Sequence, residues 1–185
     1  GLRCTGCGRD YDVANGIANL QVARGFDDED HEERWACEEC TGMHMIEHYM
    51  LPLLGRLFPG KKLSALRLLS VGCGVGVDVE ELEKHGYPCH GIDVGNRAKI
   101  WAQRHNPRSF TRAAVQRMPF HDGEFDFAFL NCVLPHVGVV GDTQTVAPDY
   151  AQERALSVAE TIRVVRPGGY ILVSNPNRLC PLDLF

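Results

Sequence analysis

The sequence predicts an α/β protein built on a doubly wound parallel sheet, preceded by a small cysteine-bearing segment. Three observations predict it. Short apolar runs alternate with amphipathic helical stretches from about residue 61 onward. The first run leads directly into a glycine-rich loop, Val71-Gly72-Cys73-Gly74-Val75-Gly76-Val77-Asp78. The links between elements are short, as crossover connections in such a sheet require.

The elements follow in order. Residues 1–20 hold Cys4, Gly6, Cys7, Gly8 and Gly16, a composition of turns and short strands. Asp27 to Glu33 is an acidic run broken only by His31, read as a solvated linker or helix start. From about Trp35 the pattern is helical. Ile46, Tyr49, Met50, Leu53, Leu54 and Leu57 recur at three- and four-residue steps and define one apolar face. Pro52 is expected to kink or split this helix, and Pro59-Gly60 to end it. Strands are predicted at 66–71, 88–94, 109–115, 125–131 and 170–174. Helices are predicted at 78–85, at 96–105 with Asn96 as its cap, and at 149–165. Leu156, Ala159, Ile162 and Val165 are expected to face the core from the last helix. Arg166-Pro167-Gly168-Gly169 reads as a turn. The expected organisation is a segment 1–30, a helical linker 31–60 and an α/β domain 61–185.

Composition narrows the class. The chain has 185 residues, 44% hydrophobic and 23% charged, which is ordinary globular usage. Its net charge of −5 disfavours a general nucleic-acid binder. No apolar run of about 18 residues is present, so no membrane span is expected. The opening Gly-Leu-Arg-Cys lacks an apolar signal region, and a cytoplasmic location is expected.

Cys4 and Cys7 form one C-x-x-C pair, and Cys37 and Cys40 another. Without a secretory signal such pairs read as metal ligands before disulfides. Four thiolates would hold one structural zinc ion. The 29 residues between the pairs exceed the usual spacing of about 15–20. Two readings therefore stay open: a four-cysteine site, or one that is cut or absent. Cys73, Cys89, Cys132 and Cys180 read as small buried hydrophobes.

The glycine loop carries the main functional signal. Glycines let the backbone turn sharply and approach a ligand, and the helix beyond offers free N–H groups. A dinucleotide loop wants G-x-G-x-x-G, but Val77 stands where the third glycine would be, and glycine sits at Gly76 instead. Asp93 ends the second strand, where a carboxylate can accept both hydroxyls of a ribose.

These residues resemble class I S-adenosylmethionine-dependent methyltransferases. Leu68-Leu69-Ser70-Val71-Gly72-Cys73-Gly74-Val75-Gly76 is similar to their first motif, and Gly91-Ile92-Asp93-Val94 to the acidic motif after it. Arg117-Met118-Pro119-Phe120, with Phe125-Asp126-Phe127, resembles the stretch leading into the fourth strand. Asn131 to Val137 resembles the segment that follows, and Val164 to Gly169 the turn before the fifth strand. The resemblance implies a Rossmann-like fold with S-adenosylmethionine at the carboxyl ends of the strands. Gly72, Cys73, Gly74 and Gly76 would pass beneath the methionine and ribose. Asp93, with Val94 beside it, would hold the ribose. Val115 and Gln116 would flank the adenine, and Asn131 and Cys132 would line the sulfonium side. Three departures stand out: Ala114 where an adenine-binding Asp is common, Pro135 where an acid is common, and the lack of two further strands after the fifth. The chain is thus expected to be a fragment, or to take its edge strands from a partner chain.

His136, after the fourth strand, is the candidate general base. Residues 137–148 make a candidate substrate loop. The segment around Cys4 and Cys7 also resembles zinc-ribbon segments fused ahead of some methyltransferases, in which the other knuckle lies upstream. The leading expectation is methyl transfer to a small-molecule or natural-product acceptor. The alternatives are an RNA base methyltransferase, favoured by Arg97, Lys99, Arg104, Arg108, Arg112 and Arg117 in a stretch without acids, or a non-catalytic partner subunit.

Overall fold

The computed structural model describes residues 1–21, 32–95, 97–140 and 145–175. Two short strands, β1 (Leu2–Arg3) and β2 (Asp10–Tyr11), pair antiparallel and support the Cys4–Cys7 turn. The main sheet has seven strands in the order β3-β4-β7-β6-β5-β8-β9. Its members are β3 (Val13–Ala14), β4 (Ile17–Asn19), β5 (Leu68–Val71), β6 (Cys89–Asp93), β7 (Phe110–Arg112), β8 (Phe125–Asn131) and β9 (Val165–Ser174). Every pairing is parallel except the β3–β4 hairpin, which joins the sheet edge through β4 and β7. The helices are α1 (Glu32–Met45), α2 (Leu51–Leu57), α3 (Val77–Lys84), α4 (Ala98–Trp101) and α5 (Tyr150–Val164). The expected doubly wound, Rossmann-like architecture is present.

Both faces of the central strands are buried, as a parallel sheet covered by helices demands. Leu68, Phe127 and Phe129 pack on one side with Ile46, Leu54 and Trp101. Leu69, Val71, Ala128 and Leu130 pack on the other with Ile92 and Val164. Phe125 and Phe127 are two residues apart yet face opposite sides. A bulge between them explains this: the N–H groups of Asp126 and Phe127 both point to the Arg67 carbonyl, and the β8–β9 register shifts there.

Several local expectations change. The helical run through Pro52 is broken by a π-turn, Ile46–Met50, and Pro52 sits in the first turn of α2, where a missing N–H costs little. The wider turn keeps Ile46, Met50 and Leu54 on the buried face and rotates Tyr49 outward, to 59% exposure. The helix expected at 96–105 is reduced to α4, and its proposed cap Asn96 lies outside the described residues. The strand at 109–115 shrinks to β7. Residues 166–169, read as a turn, run within β9, with Gly168 at φ 76°. Residues 22–31, most of the acidic run, and Cys180 lie outside the described residues.

The largest correction concerns α5. Leu156 and Ile162 are 42% and 59% exposed, and Ala159 is exposed as well. Ser157, Thr161 and Val164 face the sheet instead. The two hydroxyls tolerate burial because each donates to the carbonyl one turn back, Glu153 and Ser157, at 2.8 Å. Their polarity hid the buried face from any apolar count. This reversal gives a direct test. Val164→Ala is expected to lower stability by about 2 kcal/mol, from two buried methyl groups and the space they leave. Ile162→Lys is expected to stay within about 0.5 kcal/mol of the parent. Urea unfolding of both variants measures the difference, and equal losses would restore the sequence-based face.

Candidate active site

The site lies at the carboxyl ends of β5, β6 and β8. The sheet order places β5 between β6 and β8, so the chain leaves β5 to one side and later returns to the other. A crevice opens at such a switch point. Residues 72–76 cross it. Gly72, Gly74 and Gly76 have φ of 71°, 52° and 81°, in the left-handed region that side chains avoid. Space is short there too. A Cβ at Gly72 would meet Val133 at 2.5 Å, one at Gly74 would meet Glu38 at 2.7 Å, and one at Gly76 would meet Phe110 at 2.5 Å.

The backbone of this loop is heavily engaged. The N–H groups of Gly72 and Cys73 donate to the Ile92 carbonyl at 2.8 and 3.0 Å. Gly74 N–H donates to Asp93 Oδ2 at 2.7 Å, and Val75 N–H to Glu38 Oε2 at 3.3 Å. The Gly74 carbonyl accepts from the Trp101 indole at 2.8 Å, and the Val75 carbonyl from Arg104 Nε at 3.0 Å. Trp101 is fully buried and stacks on Phe110 at 5.2 Å.

Asp93 thus sits where the sequence placed it, at the tip of β6, with Val94 N–H also donating to it at 2.6 Å. Burial pushes its carboxyl up to about 6, against the pull of the Arg97 guanidinium. Asp78 opens α3 and accepts from the Ser70 hydroxyl. Burial raises it to about 6 as well, although this bond and the Val79 N–H favour the charged form. Cys73 is buried behind the loop, which holds its thiol well above the ordinary range. Val115 and Gln116 are half-buried in the turn after β7. Asn131 ends β8 and accepts from the Ser174 hydroxyl at 2.6 Å. Cys132 follows with φ 57°, an uncommon conformation for a residue with a side chain. His136 lies in an exposed 3₁₀ turn, Leu134–His136, that continues from the same strand end.

The four cysteines are not gathered. Cys37 and Cys40 are exposed on α1, while Cys4 and Cys7 belong to the β1–β2 turn. Among the described residues no group of three or more His, Cys, Asp or Glu converges where a metal ion could bind. The reason is tertiary. Glu38 and Glu39, between Cys37 and Cys40, hold α1 against the glycine loop and Arg104, and its cysteines point elsewhere. The four-cysteine zinc site is therefore corrected: the residues do not fit it.

The basic stretch is also reassigned. Arg97 pairs with Glu38 at 2.9 Å. Arg104, its side chain only 9% exposed, binds both oxygens of Glu39 at 2.7 and 2.5 Å and Glu80 at 2.9 Å. The acids missing from residues 94–121 arrive from α1 and α3. Glu38, Glu39, Trp101 and Arg104 were not singled out as site residues by sequence reasoning, since pairings across 59 or 65 residues leave no local spacing to read.

Fold and loop together define a class: an α/β protein whose glycine loop and following strand-end acid suit a nucleoside-bearing ligand. The chain belongs to the methyltransferase domain family, whose model matches residues 69–173. It is 31% identical over 160 residues to a ubiquinone biosynthesis O-methyltransferase of Aromatoleum aromaticum, covering 82% of this chain and 61% of that protein. It is 32% identical over 120 residues to phthiotriol/phenolphthiotriol dimycocerosates methyltransferase 1 of Mycobacterium ulcerans, covering 62% of this chain and 39% of that protein. This chain therefore spans less than two thirds of either relative. In structure it is similar to the PH0226 protein of Pyrococcus horikoshii, with a TM-score of 0.56 and 20% identity, over 83% of this chain and 59% of that one. That likeness shows the shared fold.

The raised carboxyls predict a pH dependence. Between the ordinary carboxylate range and pH 6 the folded protein holds a proton on Asp78 that the unfolded chain has released. This contribution to stability is complete at low pH and is lost as pH rises through about 6. Asp78→Asn is expected to gain about 1–3 kcal/mol relative to the parent on going from pH 4 to pH 8. Urea unfolding at the two pH values checks this, and a constant difference would show that the carboxyl titrates normally.

Proposed function

We propose that this protein transfers a methyl group from S-adenosylmethionine to a small-molecule acceptor. The observation that carries the reading is the contact between Gly74 N–H and Asp93 Oδ2 at 2.7 Å, which sets the glycine loop and the strand-end acid side by side. The cofactor supplies a sulfonium-activated methyl group, so the protein's work is alignment and exclusion of water. Gly72, Gly74 and Gly76 would let the backbone pass under the methionine and ribose, with Cys73 packed behind. Asp93 would accept from the ribose hydroxyls, beside Val94. Val115 and Gln116 would flank the adenine, and Asn131 and Cys132 the sulfonium side. His136 is the proposed base that takes a proton from the acceptor. It is exposed and follows the end of β8, beside Asn131 and Cys132.

The small-molecule acceptor draws support from the names of both curated relatives. RNA is disfavoured because Arg97 and Arg104 are held in internal ion pairs. We propose the organisation 1–30, 31–60 and 61–185, with β3 and β4 of the first part extending the sheet edge and the last part holding the cofactor. The uncovered apolar edge formed by Val158, Ile162, Ile171 and Val173 favours additional strands beside β9, from this protein or a partner chain.

Calorimetry with S-adenosylhomocysteine tests the cofactor assignment. The parent is expected to bind. Asp93→Ala should weaken binding by about ten-fold or more, the scale of a lost charged hydrogen bond, and Gly74→Val should abolish it. Binding unchanged in folded variants would remove these residues from the site. A gain of about 14 Da on an acceptor incubated with enzyme and cofactor identifies transfer itself.

A further inference from the structure

One carboxylate in the site is unused by the reading above. Glu38 belongs to α1, outside the α/β core, yet its side chain lies on the glycine loop. Oε2 accepts from Val75 N–H at 3.3 Å, and Oε1 from Arg97 Nη2 at 2.9 Å. Oε2 also occupies the space that a side chain at Gly74 would fill. The carboxylate thus rests in a cradle of one loop N–H, one guanidinium and one glycine, which is how a protein receives a carboxylate-bearing ligand.

Packing where the same helical run meets the strand ends is tight. A cavity between this run and the ends of β8 and β9, lined by Gly42, Ile46, Met50, Asp78 and Asn131 among others, measures about 20 Å³. That admits about one water molecule, whereas small-molecule sites run to roughly 300–1,000 Å³. Four of its lining residues, Gly42, Met45, Ile46 and Met50, come from the helical run that begins with α1. The narrow cavity and the Glu38 contact both follow from where α1 is seated.

Resting on the cofactor reading, we propose that Glu38 is an internal competitor for the cofactor's amino-acid carboxylate. In the free protein Glu38 holds Val75 N–H and Arg97. On binding, the Glu38 side chain swings away, and the same two donors pass to the ligand carboxylate. The exchange swaps one carboxylate for another, so Arg97 never loses its charge partner. The neighbouring Glu39–Arg104 pair keeps the helix tied while Glu38 leaves.

Calorimetry on the full chain with two probes tests the exchange. S-adenosylhomocysteine carries the amino-acid portion, and 5′-methylthioadenosine has the nucleoside and thioether without it. Glu38→Gln and Glu38→Ala are expected to bind S-adenosylhomocysteine about ten-fold more tightly, since the competitor is gone. Arg97→Gln is expected to bind it about ten-fold more weakly. Methylthioadenosine should change by less than about two-fold in all three. Weaker S-adenosylhomocysteine binding in both Glu38 variants would overturn the proposal and make Glu38 a partner of the ligand's ammonium. Equal changes for the two probes would overturn it by showing a purely steric plug. If the parent binds neither probe, the cofactor reading fails and this inference fails with it. If the parent binds while the variants leave affinity unchanged, only the inference fails.

Discussion

The whole arrangement hangs on the close passage of residues 72–76 between β5 and α3. Three glycines hold left-handed backbone there, and each leaves room that another element occupies: Val133 beyond β8, Glu38 of α1 and Phe110 of β7. The loop's N–H and carbonyl groups are taken up by Ile92, Asp93, Glu38, Trp101 and Arg104. It is therefore a packing junction as well as the proposed ligand cradle. A side chain added at any of the three glycines would disturb packing and binding together, because the same atoms serve both.

Electrostatics around that junction follow from partial burial. Arg104 is nearly enclosed and carries two glutamates and a backbone carbonyl, so its charge is met from several directions. A buried pair of this kind contributes little net stability while intact, yet removing one partner leaves an unsatisfied charge. Its structural effect is to set where α1 lies. Asp93 and Asp78 are held up near pH 6 by the same enclosure. A site that withholds water from its carboxylates favours ligands able to replace that water with hydroxyl or ammonium hydrogens.

The opposite edge of the sheet obeys a different rule. β9 pairs with β8 along one edge and leaves Ile171 and Val173 exposed beside the exposed Val158 and Ile162 of α5. Apolar residues at an uncovered edge need something to pack against. The chain spans only part of its curated relatives, and apolar side chains are exposed at that edge.

The sequence by itself determined the alternation of strands and helices, the glycine loop, Asp93 at the tip of β6 and the two-sided burial of β5 and β8. Each is legible because it rests on neighbours in the chain: a period of hydrophobicity, a run of glycines, an acid one strand further on. The same reasoning misplaced Tyr49, where a π-turn shifts the helical period, and the buried face of α5, where two hydroxyls satisfy themselves on the preceding turn. It left a four-cysteine site open that the structure does not gather among the described residues, and it found no acids near Arg97 and Arg104 in the chain. Only the tertiary structure could decide these points. Pairings such as Glu38 with Arg97, or Glu39 with Arg104, depend on where α1 comes to rest on the sheet, and that is set by packing between segments about sixty residues apart.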